Sequence, residues 1–255
     1  MSFSPANDFA ALSARGLTNY DVVHKFGRNS AVGTSFVAIS LVGNYQMPTT
    51  AQALEIISSD ANDTAAGTGA RVVTVQGLDA NWAAISQDVP MNGTTAAALT
   101  TNMTRLYRAF VKESGTYATG SVGSHAGDIT IRAAGGGASW SLLSSTDYAR
   151  AQSELGAYSV PAGKSALVRN ILVSVDSNKF VDVLLMHRAE ADVVIAPYGA
   201  SRIVFELGSI SGERTVRTNA PFDSFAGPCD LYFLGKVSSG TTEVDVDFEI
   251  WLYDT

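Results

Sequence analysis

The sequence predicts an all-β protein of two antiparallel β-sandwich or jelly-roll-like domains with a short N-terminal arm. Short runs rich in Val, Ile, Thr and aromatic residues recur along most of the chain, separated by Gly, Asn, Asp and Ser clusters that mark turns. The run Val244 to Tyr253 alternates strictly. Val244, Val246, Phe248, Ile250 and Leu252 fall on one face, and Asp245, Asp247, Glu249, Trp251 and Tyr253 on the other, which is the period of a strand with one face in a core. A chain of 255 residues, 46% of them hydrophobic, can bury the core of one large β domain or two smaller ones.

The elements follow in order. Residues 1–33 read as an arm. Asp8 to Ala14 is weakly helical, and Gly16 to Arg28 scatters Leu17, Tyr20, Val22, Val23 and Phe26 among polar neighbours, a pattern that orders on a partner surface or back on the same chain. Residues 34–133 read as the first domain, with strands at Thr34 to Leu41, Leu54 to Ser58, Arg71 to Gln76, Ala84 to Val89, Thr104 to Lys112 and Asp128 to Ala133. Arg105 to Val111 fits the helical and the strand period equally imperfectly, and its β-rich surroundings favour strand. Residues 134–157 open on Ala-Gly-Gly-Gly-Ala-Ser and read as a linker or long loop. Residues 158–255 read as the second domain. The turn Pro161-Ala162-Gly163-Lys164 introduces strands at Ala166 to Val175, Val181 to His187, Ser201 to Leu207, Leu231 to Val237 and Glu243 to Leu252.

Composition removes several function classes. Charged residues make up 16% of the chain and the net charge is −7, whereas nucleic-acid affinity needs clustered Lys and Arg, so no direct contact with nucleic acid is expected. No uncharged apolar run approaches the roughly 20 residues that cross a bilayer. The opening Met-Ser-Phe-Ser-Pro-Ala-Asn-Asp lacks a basic start followed by an apolar run, so the expectation is a soluble chain made in a cytoplasm. Cys229 is the only cysteine, which leaves no intrachain disulfide and reads as a small buried hydrophobe at a strand edge.

Candidate chemistry is sparse. His24, His125 and His187 have no partner at His-x-x-x-His spacing, and Gly-x-Ser-x-Gly is missing, so no catalytic residue is assigned and no enzyme is expected. Asp60-Ala61-Asn62-Asp63-Thr64 has the oxygen-rich character of a calcium loop, yet Ala65 stands where an EF-hand needs Gly and Arg71 where it needs Glu. Asp and Asn also cap turns through their own backbone, a reading that needs no ion. Gly67-Thr68-Gly69 runs into a strand instead of the Gly-Lys-Ser/Thr and helix of a phosphate loop, and no strand-turn-helix unit surrounds Gly135-Gly136-Gly137. No metal or cofactor is assigned.

One stretch carries a family resemblance. Ile57-Ser58-Ser59-Asp60-Ala61-Asn62-Asp63-Thr64-Ala65-Ala66-Gly67-Thr68-Gly69-Ala70-Arg71 is followed by Gly77-Leu78-Asp79, then Asn92-Gly93-Thr94-Thr95, then Arg105-Leu106-Tyr107-Arg108-Ala109. This succession resembles tailed-phage virion structural proteins of a marine podovirus-like, tail- or capsid-associated kind, and Tyr158-x-Val160-Pro161-Ala162-Gly163-Lys164 resembles the start of that family's second β region. The resemblance spans residues from about 22 to 175. It implies a virion building block assembled in a bacterial host's cytoplasm, not an enzyme, and it carries over no catalytic residue.

The expected role is a tail-associated ring or fibre-anchoring adaptor, ahead of a capsid decoration protein. Partners would be tail, fibre or major capsid proteins and further copies of the chain, since symmetric interfaces bury apolar patches without open-ended growth. Tyr20, Val23, Phe26, Arg28, Phe248, Trp251 and Tyr253 are the candidate contacts. The acidic and aromatic face of the last strand stays open between solvated surface, guarded edge and subunit contact. A receptor- or glycan-binding module is the alternative class, with Trp82, Trp140, Tyr117 and Trp251 as stacking faces; aromatics of this kind also serve as core anchors.

Overall fold

The computed structural model describes residues 20–119, 123–146, 150–216 and 224–255, and every regular element among them is a β-strand. In chain order these are β1 (Asp21–Val32), β2 (Val37–Ala38), β3 (Leu54–Ser58), β4 (Ala70–Leu78), β5 (Ala84–Pro90) and β6 (Ala97–Ala98). There follow β7 (Arg105–Ser114), β8 (Ile129–Ala133), β9 (Ser139–Leu143), β10 (Ala157–Val160), β11 (Lys164–Val175) and β12 (Val181–Arg188). The last are β13 (Ser201–Ile210), β14 (Glu213–Val216), β15 (Ser224–Ala226), β16 (Cys229–Val237) and β17 (Thr242–Asp254). All ladders are antiparallel, so the chain is all-β as the sequence predicts. The expected helix at Asp8 to Ala14 lies outside the described residues.

The chain forms two compact units, but not in sequential order. One joins the described residues up to Ile39 with those of Gly156–Thr255, and the other is formed by the described residues of Ser40–Leu155. The first unit holds two sheets, ordered β1-β17-β11-β14 with β15 also on β11, and β10-β16-β12-β13 with β2 also on β16. β2 and β10 make a single lane. Val37 and Ala38 face Gly235 and Leu234 of β16, and Ala157 to Val160 continue down the same strand from Tyr232 to Cys229. Between them the amide of Ile39 donates to the Phe233 carbonyl at 3.0 Å, and that of Phe233 to the Gly156 carbonyl at 2.9 Å. The second unit therefore enters the sequence in the middle of one lane of the first.

β14 and β15 likewise share a lane against β11. Numbered in chain order, the lanes pair first with eighth, second with seventh, third with sixth and fourth with fifth. The sheets then read 1-8-3-6 and 2-7-4-5, which is the jelly roll. Its core is the inward face of β17 against that of β12 and β16, with the Phe233 and Phe248 rings 4.9 Å apart between the sheets.

The second unit has sheets ordered β6-β3-β8-β9 and β5-β4-β7. Leu54, Ile56, Val73, Val75, Leu106, Ile129, Ile131 and Leu143 form its buried interior. The expected boundaries need correction here. The described part of residues 134–157 is not a linker: Gly135 and Gly136, at φ of 78° and 77°, turn the β8–β9 hairpin, and their amides donate to the Glu55 carboxylate at 3.0 and 3.1 Å. The Gly135 amide and the Arg132 guanidinium hold the Glu55 carboxyl below the usual carboxylate range. Trp140 and Leu143 on β9 are buried, a strand that its short, Ser-flanked run concealed.

The proposed arm is corrected as well. Its described part from Asp21 on is β1, a full lane of the jelly roll, and not an appendage. The expected strand from Thr34 to Leu41 contracts to β2.

Candidate assembly surface

The segment Tyr20 to Arg28 and the last strand, nominated separately from sequence, are neighbours. β1 pairs with β17 so that Val22 faces Trp251, His24 faces Glu249, Phe26 faces Asp247 and Arg28 faces Asp245. Alternation puts these eight side chains on the outer face of the sheet and sends the intervening ones inward. Five of the seven candidates, Tyr20, Phe26, Arg28, Trp251 and Tyr253, thus belong to one face. Val23 and Phe248 do not. Val23 pairs with Ile250 on the inner side, and Phe248 is 1% exposed against Phe233, so its size serves the core and not a contact.

Trp251 is only 4% exposed although it lies on the outer face. The Arg169 guanidinium sits 4.2 Å above its ring, Tyr20 meets it edge-on at 6.0 Å, and its indole N–H donates to Glu249. Arg169 is a contributor that the sequence reading missed; a bulge between Val168 and Ile171 shifts its register. Tyr20 also packs 5.6 Å from Tyr253, whose hydroxyl lies 2.5 Å from Ser224 Oγ. Arg28 bonds Glu243 at 2.5 Å and approaches Asp245 at 3.9 Å. What remains open to a partner is the half-exposed Phe26 and Val22 beside a groove of about 450 Å³ lined by His24, Asn170, Leu172, Glu213, Asp247 and Glu249. Partial burial pushes the Asp247 carboxyl above its usual range, with His24 opposing and Glu249 adding to the rise.

Part of the stretch that carries the family resemblance, the loop from Ser58 to Arg71 with Gly93, forms a clasp within the second unit. Asp63 is fully buried at its centre. One carboxylate oxygen accepts from the Ala70 and Ala126 amides at 2.7 and 2.8 Å, the other from the Ser58 hydroxyl and the Gly127 amide at 2.6 and 2.9 Å. Gly69 passes so close that a Cβ there would lie 2.1 Å from Asp63 Oδ1. Arg71 Nε donates to the Gly67 carbonyl at 2.9 Å, and the Gly93 amide, from the Asn-Gly-Thr-Thr turn, donates to the Asp63 carbonyl at 2.7 Å. In the Gly-Leu-Asp turn, Asp79 accepts from the Asn81 and Ala83 amides at 2.8 and 3.0 Å.

Four hydrogen-bond donors thus occupy the oxygens a cation would need, and Asp60 caps its own turn by accepting from the Asn62 amide at 2.8 Å. Among the described residues, no three His, Cys, Asp or Glu side chains are grouped to hold a metal ion. Calcium or a chelator is expected to move the melting temperature by no more than about 1 °C, because a ligand stabilises only what it binds; differential scanning fluorimetry checks this.

The histidines do not combine. His24 is on the outer face of the first unit and His187 is inside it, while His125 lies in the second unit with Nε2 3.1 Å from the Ser144 carbonyl. Burial depresses both buried imidazoles, helped at His187 by Arg202 and opposed at His125 by the Ser144 carbonyl. An unfolded histidine protonates near 6.5, whereas these two take the proton only at lower pH when folded. Their contribution to stability is therefore complete above about pH 6.5 and lost as pH falls from there through the folded values. Melting temperature should fall as pH drops below about 6.5, and fall less in His125→Gln; the raised Asp247 acts in the opposite sense, so the variant isolates the histidine. Cys229 is buried and its thiol is pushed up to about 12 by burial and Asp230, so the buried-hydrophobe reading fits and a thiolate nucleophile does not.

The glycan reading loses most of its surface. Trp82 lies under the Arg105 guanidinium at 4.7 Å, and Trp140 and Trp251 are also buried, which leaves Tyr117 exposed at 90%. No helix of the described residues is long and apolar enough to cross a membrane.

No family model matches the chain, and no curated protein matches it. Among solved structures, it is similar to that of Sulfolobus Turreted Icosahedral Virus at 10% identity and a TM-score of 0.24, covering 92% of this chain and 91% of that one. It is similar to infectious bursal disease virus Gx strain at 11% identity and a TM-score of 0.22, covering 92% and 72%. A Yersinia pseudotuberculosis-derived mitogen is similar at 8% identity and a TM-score of 0.21, covering 36% and 80%. Likenesses this distant carry no argument, and the jelly roll rests on the strand pairing alone.

Proposed function

We propose that this chain is a non-enzymatic structural component of a tailed-phage virion, built in as repeated copies, and that it works as a tail-associated ring or fibre-anchoring adaptor. One observation carries the reading. The loop at the centre of the resemblance, from Ser58 to Ala70, is tied up in the Asp63 clasp, so what that loop encodes is architecture and no reactive group. The outer face of β1 and β17 supplies the contact, with Phe26 and Val22 as apolar points and the acidic groove beside them as the source of specificity. Partners on this reading are tail or fibre proteins and further copies of the chain.

The jelly-roll lane order favours a second reading, a decoration protein on the head shell in contact with the major capsid protein, because that architecture recurs in viral shells. Quantitative mass spectrometry of purified particles separates the two. A few to a few tens of copies per particle supports the tail, a ratio to the capsid protein near one or a fixed large fraction supports the shell, and absence from the particle rejects both.

A further inference from the structure

The first unit has a second feature, apart from the β1–β17 face. β13 is the outermost strand of its sheet and β15 lies at the margin of the other, and between them opens a cleft of about 580 Å³. His187, Arg202, Ile203, Val204, Ser224 and Phe225 line it. His187 points inward from β12 and packs against Phe225 with ring centroids 4.8 Å apart and planes tilted by 56°, and Arg202 is its directly opposed neighbour on β13.

His187 is 7% exposed, yet its Nε2 has no hydrogen-bond partner among the described residues. A buried polar atom left unmatched is uncommon, and at the floor of a cleft it can pair with a group that arrives from outside. The nearby Arg202 decides its charge. A cation would be repelled from a pocket whose rim already carries a guanidinium, whereas an anion gains a charge-assisted bond there. Burial and Arg202 keep the imidazole neutral, so Nε2 can act as a single N–H donor once the proton sits on that nitrogen. Asp230, the carboxylate that acts on this imidazole, is hydrogen-bonded to Ser159. Ser224 Oγ is shared with the Tyr253 hydroxyl and adds at most one further contact. One guanidinium, one neutral N–H and the apolar side of Phe225 match a group with one charge and two oxygens on a carbon stem. A phosphate would call for more cations or a set of backbone amides.

We propose that the cleft between β13 and β15 is a carboxylate-binding site, with Arg202 taking the charge at the rim and His187 Nε2–H donating from the floor. The carboxylate comes either from a free organic acid or from an acidic side chain of a second copy of this chain, whose net charge is −7. The site stands independently of where in a particle the chain works.

The test follows the His187 side-chain resonances of the ¹⁵N-histidine-labelled chain, assigned with His187→Gln. Glutarate is titrated at constant ionic strength against a chloride control, and in a separate arm the protein alone is diluted. A saturable glutarate shift, weakened about tenfold or more in Arg202→Gln, establishes the site for a free acid. A shift that depends on protein concentration and disappears in Arg202→Gln assigns the carboxylate to a second copy. Arg202 is exposed, so its substitution leaves the fold intact, which an unchanged melting temperature verifies. Silence in both arms, or equal shifts in chloride and in Arg202→Gln, overturns the proposal.

Discussion

Asp63→Ala is expected to destabilise the second unit by about 4–6 kcal/mol, at the upper end for a single substitution. The carboxylate is buried and accepts three backbone amides and one hydroxyl, and alanine leaves those three amides without an acceptor. Each stranded buried donor costs roughly 1–3 kcal/mol, against a domain stability of about 5–15 kcal/mol. Asp63→Asn should cost less, about 2–4 kcal/mol, since one oxygen remains while the amide nitrogen faces donors. Asp60→Ala, which removes only a turn cap, should cost under about 1 kcal/mol. Urea unfolding followed by Trp82 and Trp140 fluorescence in a Trp251→Phe background measures this order. If Asp60→Ala proved as damaging as Asp63→Ala, the loop would owe its integrity to an ion and not to the clasp.

Removing residues 1–30 should unfold the first unit, whereas removing residues 1–19 should leave it cooperative. The longer deletion strips nearly all of β1, and with it the ladder to β17, the Arg28–Glu243 ion pair and the bond from Asn29 Nδ2 to the Ala38 carbonyl at 2.9 Å. β17 would then present its long apolar strand as an unguarded edge. β1 also packs tightly inside: a Cβ on Gly27 would lie 2.2 Å from the Gly156 nitrogen, so no other segment replaces it easily. The loss should take most of the unit's stability, with insoluble expression as its first sign. Thermal unfolding followed by Trp251 fluorescence distinguishes the two deletions. Only the shorter one is a fair test of whether the N-terminal residues dock on a partner.

Much of the fold was legible because it is written in alternation. β3 was read at its observed bounds, and β4, β5, β8, β11, β12, β16 and β17 within a few residues, since their inward positions hold Val, Ile, Leu or Phe. β1 escaped for a physical reason. Its inward positions include Lys25, Gly27 and Asn29, while Val22 and Phe26 face outward, so its pattern is the inverse of a normal core strand. The nesting was invisible because nothing in Val37 to Ile39 or in Gly156 to Val160 signals that two distant segments complete one lane; only pairing with β16 reveals it.

The candidate surface was half legible. Alternation identified the outer face of β17, but it could not show that Tyr20 to Arg28 lies beside it or that Arg169 covers Trp251. Phe248 belongs to the core face of that same alternation, and the burial of its ring removes it from the surface. The loop from Asp60 to Asp63 carried the right alternatives, ion or turn cap. Its resolution needed Ala126 and Gly127, more than sixty residues away in sequence, as donors to the central carboxylate.

The claim that the chain acts by surface complementarity through the outer face of β1 and β17 is tested most directly with Val22→Lys combined with Phe26→Lys. Both side chains are at least partly exposed and flank the acidic row of β17, so lysine is accommodated without loss of fold. The measurement is the copy number of this variant in purified particles beside its melting temperature in solution. An unchanged melting temperature with loss from the particle is the predicted result. Incorporation at the wild-type copy number would contradict the account.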